Sequence, residues 1–226
     1  MREKGKKRKN CHWGELPLAL GSVLWVISVA VAVTLNCRSL YRYDMKRLEI
    51  PRNSGYSEEA VLENYDALIA YNRIWFRGPL RFPSMEMSET GEIHFAEVKE
   101  IFAVFQGLAL GLALPLLLGY GWAVKKRRPE PFRLTAILSV GLPALLGGLI
   151  ALNWDAAFVL FHKIFFRNDF WIFDGATDPV IRILPDEYFL HCAVMILLLV
   201  VGMALLFLLG YRILRKKQKQ GDVSGS

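Results

Sequence analysis

Residues 190–209 read LHCAVMILLLVVGMALLFLL, twenty positions without an aspartate, glutamate, lysine or arginine. As a helix, about 20 apolar residues span the roughly 30 Å hydrocarbon core of a bilayer. A single charge at the centre would cost about 2.5–3.5 kcal/mol on an insertion scale. Leu16–Leu35, Ile101–Val124 and Leu134–Asn153 are equally free of charge, each 20 to 24 residues long. With 54% hydrophobic residues in a chain of 226, the composition suits a small polytopic membrane protein and not a soluble domain. The expected fold class is an all-α membrane protein with four transmembrane helices and a small extracellular cap.

Charge gives the orientation. Sixteen of the 28 lysines and arginines fall in 1–15, 125–133 and 210–226, where they face only Glu3, Glu15, Glu130 and Asp222. Residues 36–100 and 154–189 hold the other 12 against 17 acids. Because basic flanks stay on the cytoplasmic side, the chain divides as follows. A cytoplasmic basic N-terminus (1–15) leads into a first span (16–35), an extracellular cap segment (36–100) and a second span (101–124). A cytoplasmic loop (125–133), a third span (134–153) and an extracellular aromatic segment (154–189) come next. The fourth span (190–209) and a cytoplasmic basic tail (210–226) complete it. The basic residues flank helices instead of forming one surface, so no nucleic-acid partner is expected. Three cysteines cannot make a disulfide framework. Cys37 and Cys192 fall near the outer ends of the first and fourth spans, where a bridge is possible and free thiols are expected, while Cys11 is cytoplasmic. The first span is too long for a signal-peptide core and should remain attached.

Within the cap segment, Arg38 to Pro51 mixes Tyr41 and Tyr43 with charges, a pattern that suits snorkelling at the interface. Ser57, followed by Glu58 and Glu59, marks a helix start, and Val61, Leu62, Tyr65, Leu68 and Ile69 give one apolar side to a helix over 58–72. Gly78-Pro79 and Phe82-Pro83 break the chain into irregular or extended pieces. His94, Val98, Ile101, Phe102 and Phe105 share a face, which predicts that the second helix starts outside the membrane with His94 about two turns above it.

Residues 158–171, FVLFHKIFFRNDFW, are too interrupted by polar groups to cross a bilayer, and they hold six aromatic rings. At about 100° per residue, Phe158, Phe161, His162, Phe165, Phe166 and Asp169 fall on one helical face. That face would set an imidazole in an aromatic wall with a carboxylate two turns on. Of four histidines, His12 is cytoplasmic and His191, beside a run of leucines, is expected to be structural. His94 and His162 leave two readings open: hydrogen bonding to headgroups or backbone, or proton transfer near neutral pH. A metal held by His94, Glu97, His162 and Asp169 has little support without HExxH, CxxC or a His-rich tract, so no metal or other cofactor is expected. The absence of GxSxG and Walker sequences argues against a serine nucleophile and ATP-driven work. The absence of mid-membrane charge argues against an ion path.

GEIHFAEVK at 91–99 and FHKIFF at 161–166, continuing through Asn168-Asp169-Phe170-Trp171 to Asp178 and Leu184-Pro185, resemble the bacterial lipoprotein intramolecular transacylase family. The four-helix layout extends the resemblance over nearly the whole chain. It implies an acyltransferase of the bacterial plasma membrane acting on diacylated lipoproteins. The sn-2 acyl chain would move to the α-amine of the N-terminal cysteine, with His94 and His162 as the catalytic pair. Supporting roles are assigned to Glu97 or Asp169, orienting an imidazole, and to Lys99 or Tyr65, stabilising an oxyanion. Phe95, Phe158, Phe161, Phe165, Phe166 and Trp171 would wall the substrate pocket. The rival reading is a non-enzymatic membrane protein whose cap binds a lipid or a partner protein.

Overall fold

A computed structural model of the chain describes residues 14–224. Cys11, His12, the basic run before Gly14 and the last two residues of the tail lie outside the described residues. Four long helices, α1 (Glu15–Leu35), α5 (Glu89–Lys125), α6 (Glu130–Leu152) and α8 (Asp186–Ser224), are each long and apolar enough to cross a membrane. Between them lie α2 (Arg38–Arg47), α3 (Ile50–Ser54), α4 (Glu58–Tyr71), α7 (Trp154–Phe165) and a 3-10 turn at Pro179–Ile183. No strand occurs among the described residues. Residues 72–88 of the cap run as turns and bends.

α1 is the hub, packing against α5, α6 and α8, while α6 runs along α8. Its contact faces are made close by small residues, as expected where lipid removes the hydrophobic drive between helices. A Cβ at Gly119 would press on Leu18, so this glycine lets α5 approach α1. Polar side chains add the ties. Ser22 Oγ lies 3.0 Å from Tyr120 Oη, which lies 2.6 Å from Thr135 Oγ1, linking α1, α5 and α6. At the loop end, Arg128 pairs with Glu15 at 3.5 Å.

The cap core at the other end is aromatic. Tyr41 and Tyr65 stack at 3.6 Å between ring centres, and Tyr188 meets Tyr41 edge-on at 5.1 Å. All three hydroxyls are bonded: Tyr41 donates to the Ile183 carbonyl at 2.8 Å, and Tyr65 and Tyr188 share a 2.9 Å bond. Burial pushes all three phenols above their ordinary range. α4 begins where Ser57 Oγ accepts from the Ala60 amide at 3.2 Å, and it ends one residue short of the expected 72. Cys37 and Cys192 are both free thiols.

Asn153 Oδ1 accepts from the Ala156 amide and starts α7. The helix then ends at Phe165, because Phe166 adopts extended backbone (φ −118°, ψ 139°). This corrects the helical face expected to run on to Asp169: beyond Phe165 the chain turns away, and Asp169 is exposed. Asn168 Oδ1 accepts from the Phe170 amide at 3.1 Å, the local turn that competes with helix here.

Candidate active site

α5 rises out of the bundle as one continuous helix and carries His94 on its second turn. Its start is anchored twice: Ser88 Oγ accepts from the Gly91 amide at 3.0 Å, and Asp178 Oδ1 accepts from the Ser88 amide at 2.8 Å. A side chain at Gly91 would collide with the Asp178 carboxylate. Asp178 thus fixes where α5 begins, and with it the height of His94.

His162 comes from α7. The two imidazoles lie 6.0 Å apart, centre to centre, with ring planes at 34°. Both are nearly sealed from solvent, His94 at 5% and His162 at 8% exposure. Phe166 touches both rings, 4.7 Å from His94 and 5.5 Å from His162. Trp171 stacks on His162 at 4.5 Å, with Phe158 at 4.3 Å and Phe161 at 5.3 Å. Phe95 neighbours His94 at 5.9 Å. Phe165 packs on Phe161 at 4.7 Å and forms the exposed rim.

Three further rings join this wall. Phe173 stands 5.5 Å from His94 and stacks on Phe95, Phe189 lies 5.8 Å from Phe158, and Trp154 lies 5.7 Å from Phe158. Only tertiary contact brings in Phe173 and Phe189, and no helical period links them to either histidine.

Apolar walls disfavour charge on an imidazole. Burial, and then the nearby His162, push His94 down to about 4. Burial also lowers His162, against the upward pull of its bond to the Phe158 carbonyl. Both are therefore neutral at pH 7. The 2.8 Å contact from His162 Nδ1 to the Phe158 oxygen fixes the tautomer. A carbonyl only accepts, so Nδ1 holds the proton and Nε2 keeps its lone pair. His94 Nδ1 is buried without a partner.

The expected supporting residues are occupied elsewhere. Glu97 Oε1 accepts from Asn168 at 2.9 Å, tying α5 to the segment after α7, and its Oε2 is buried and unbonded. Lys99 donates to the Phe76 carbonyl at 3.3 Å and sits 4.1 Å over the Tyr71 ring. Tyr65 belongs to the cap core. His191 pairs with the fully buried Asp44 at 2.8 Å. No cluster of three potential metal ligands occurs among the described residues.

A family model described as lipoprotein intramolecular transacylase Lit matches residues 17–189. Among solved structures, the membrane-integral lipoprotein intramolecular transacylase Lit from Bacillus cereus is 32% identical, with a TM-score of 0.88 over 91% of this chain and 96% of that one. Two variants of the Bacillus cereus protein also superpose at TM-score 0.82 and 32% identity. One has a histidine replaced by arginine and covers 92% of each chain. The other has it replaced by alanine and covers 91% of this chain and 94% of that one. No curated protein matches the chain.

Proposed function

Since the chain belongs to the lipoprotein intramolecular transacylase family and is a multi-pass membrane acyltransferase, we propose that it transfers the sn-2 acyl chain of a diacylglyceryl lipoprotein. The acceptor is the α-amine of that lipoprotein's own N-terminal cysteine, and the product is a lyso-form lipoprotein. The observation that carries this reading is the pair of buried, neutral imidazoles 6.0 Å apart. At that separation both imidazoles can act on the same bound reacting group.

His162 Nε2 takes the proton from the attacking nitrogen. As the N–C bond forms and the ester C–O bond breaks, His94 relays that proton, accepting it from His162 on one ring nitrogen while its other nitrogen gives its own N–H to the glyceryl oxygen, so neither imidazole is left charged. The net movement is one proton from nitrogen to oxygen, with both histidines restored to their neutral forms. The α-amine, with an ordinary pKa near 8, enters the step as the free base, and giving up its ammonium proton to water at pH 7 costs about 1.4 kcal/mol. The apolar wall lowers the amine's pKa and so reduces this cost. The larger contribution is geometric. Holding ester and amine together supplies roughly 7–11 kcal/mol, which makes the aromatic wall the main catalyst. No cofactor enters this exchange of ester for amide.

The basic flanks support a plasma-membrane orientation with the cap outside and both termini cytoplasmic. Exposed apolar side chains on α5 and α6, such as Leu110, Leu114, Leu145 and Leu149, suit contact with lipid and with the substrate's acyl chains. The decisive experiment is mass spectrometry of lipoprotein N-terminal peptides from cells with and without the protein. One acyl chain should shift from glycerol to nitrogen only when it is present. An unchanged acylation pattern would overturn the assignment.

A further inference from the structure

The turn after α4, residues 72–78 (NRIWFRG), descends beside α5 instead of staying in the cap. Gln106 holds it from below: its Nε2 donates to the Asn72 carbonyl at 2.9 Å, and its Oε1 accepts from the Ile74 amide at 3.3 Å. Ile74 packs over Gly107, where a Cβ would sit 3.7 Å from its Cδ1. Lys99 holds the other end of the turn through the Phe76 carbonyl. Counting about 20 helical residues back from the interfacial Trp122 puts the hydrocarbon boundary near Phe102. Both attachment points, Gln106 and Lys99, are within about one turn of that level. The turn therefore lies in the plane of the lipid headgroups and glycerol.

What the turn and the adjoining turn of α5 present there is one exposed ring and three cations, Arg73, Arg77 and Lys99. Trp75 is 67% exposed, against the rule for so large an apolar side chain in water and in keeping with the aromatic belt of an interface. Arg77 is exposed, and Arg73 carries an Nε that is buried without an acceptor. Burial and the charge of Arg77 hold the Lys99 ammonium below its ordinary value. Glu92 and Glu100 act on the neighbouring Tyr71, yet among the described residues neither pairs with any of the three cations. Cations without counter-charge at headgroup depth, on a protein surface that is otherwise net acidic on the cap side, call for an anion from the membrane itself.

We propose that Arg73, Arg77 and Lys99, with Trp75 as interfacial anchor, form a headgroup site for an anionic phospholipid of the cap-side leaflet. The phosphate meets the two guanidiniums, whose forked donors suit it. The acyl chains lie along the exposed apolar face of α5. A lipid is favoured over an acidic peptide because phosphates lie at this depth, whereas a peptide chain leaving a lipidated cysteine climbs away from it.

The test reconstitutes the full chain in phosphatidylcholine vesicles with or without phosphatidylglycerol, one lipid at a time carrying brominated acyl chains as short-range quenchers. Emission from Trp75 is the difference between the protein and its Trp75→Phe variant. Brominated phosphatidylglycerol should quench Trp75 more than brominated phosphatidylcholine at equal mole fraction. Arg77→Gln or Arg73→Gln should reduce that preference about fivefold each, the worth of one cation near an anionic surface. Equal quenching by the two lipids would overturn the site, as would a preference that survives both substitutions. Displacement of phosphatidylglycerol by soluble tetraglutamate would also overturn it and assign the cations to acidic peptide. None of these outcomes depends on acyl transfer.

Discussion

Two neighbouring clusters of rings, joined at Tyr188 and Phe189, treat their polar atoms differently. Around Tyr41, Tyr65 and Tyr188 every hydroxyl is bonded. Around His94 and His162, the Nδ1 of His94, the indole nitrogens of Trp154 and Trp171, and Oε2 of Glu97 are buried without partners. Each such atom costs about 1–3 kcal/mol, a cost that folds seldom carry without a use for it. The satisfied cluster holds the cap together; the unsatisfied one has bonding capacity left for a substrate. Aromatic richness alone does not distinguish them.

The contrast can be broken most directly at the histidines. His162→Gln and His94→Gln should each lower acyl transfer by about 10²–10⁴-fold, the worth of a positioned acid or base, with thermal unfolding little changed. A loss of folding that matches the loss of activity would move the histidines into the structural cluster. Gly91→Ala comes next. Its Cβ has no room against Asp178, and overpacking of this kind costs about 1–3 kcal/mol. Lifting α5 by even a fraction of an ångström should also lower kcat, and the measurement is activity per folded molecule.

Acid sharpens the comparison in a graded way. Both histidines have folded pKa values below the ordinary 6.5, that of His94 at about 4. Their neutral forms contribute stability that is complete above about pH 6.5 and is lost as pH falls toward 4. Melting temperature should drop over that window in the protein, and by less in His94→Gln. The smallest effect belongs to Tyr65→Phe. It removes one hydroxyl bond in the satisfied cluster, costs about 1 kcal/mol and leaves acyl transfer per folded molecule unaltered.

The four spans were legible because uncharged windows of bilayer length have few other uses. α4 was legible from Ser57 and the apolar spacing that follows it. The pairing of His94 with His162 was not visible in any local pattern; the motif resemblance suggested it, and the folded chain supplies the distance. Periodicity misled at Asp169, where a helical phase was extended past Phe165 although Asn168 closes a turn instead. Lys99 and Glu97 share a helix with His94 and were read by that proximity alone. Their partners, Phe76 and Asn168, come from chain segments more than twenty residues away, beyond the reach of spacing arguments.

The acceptor that fixes His162 is a main-chain oxygen four residues back on its own helix. No substitution at position 158 deletes a carbonyl, so the choice of basic nitrogen survives any side-chain exchange there that leaves α7 helical. In the proposed mechanism, the nitrogen of His162 that can receive a proton is therefore set by the helix itself, and sequence drift in the wall can retune the fit of the substrate without changing it.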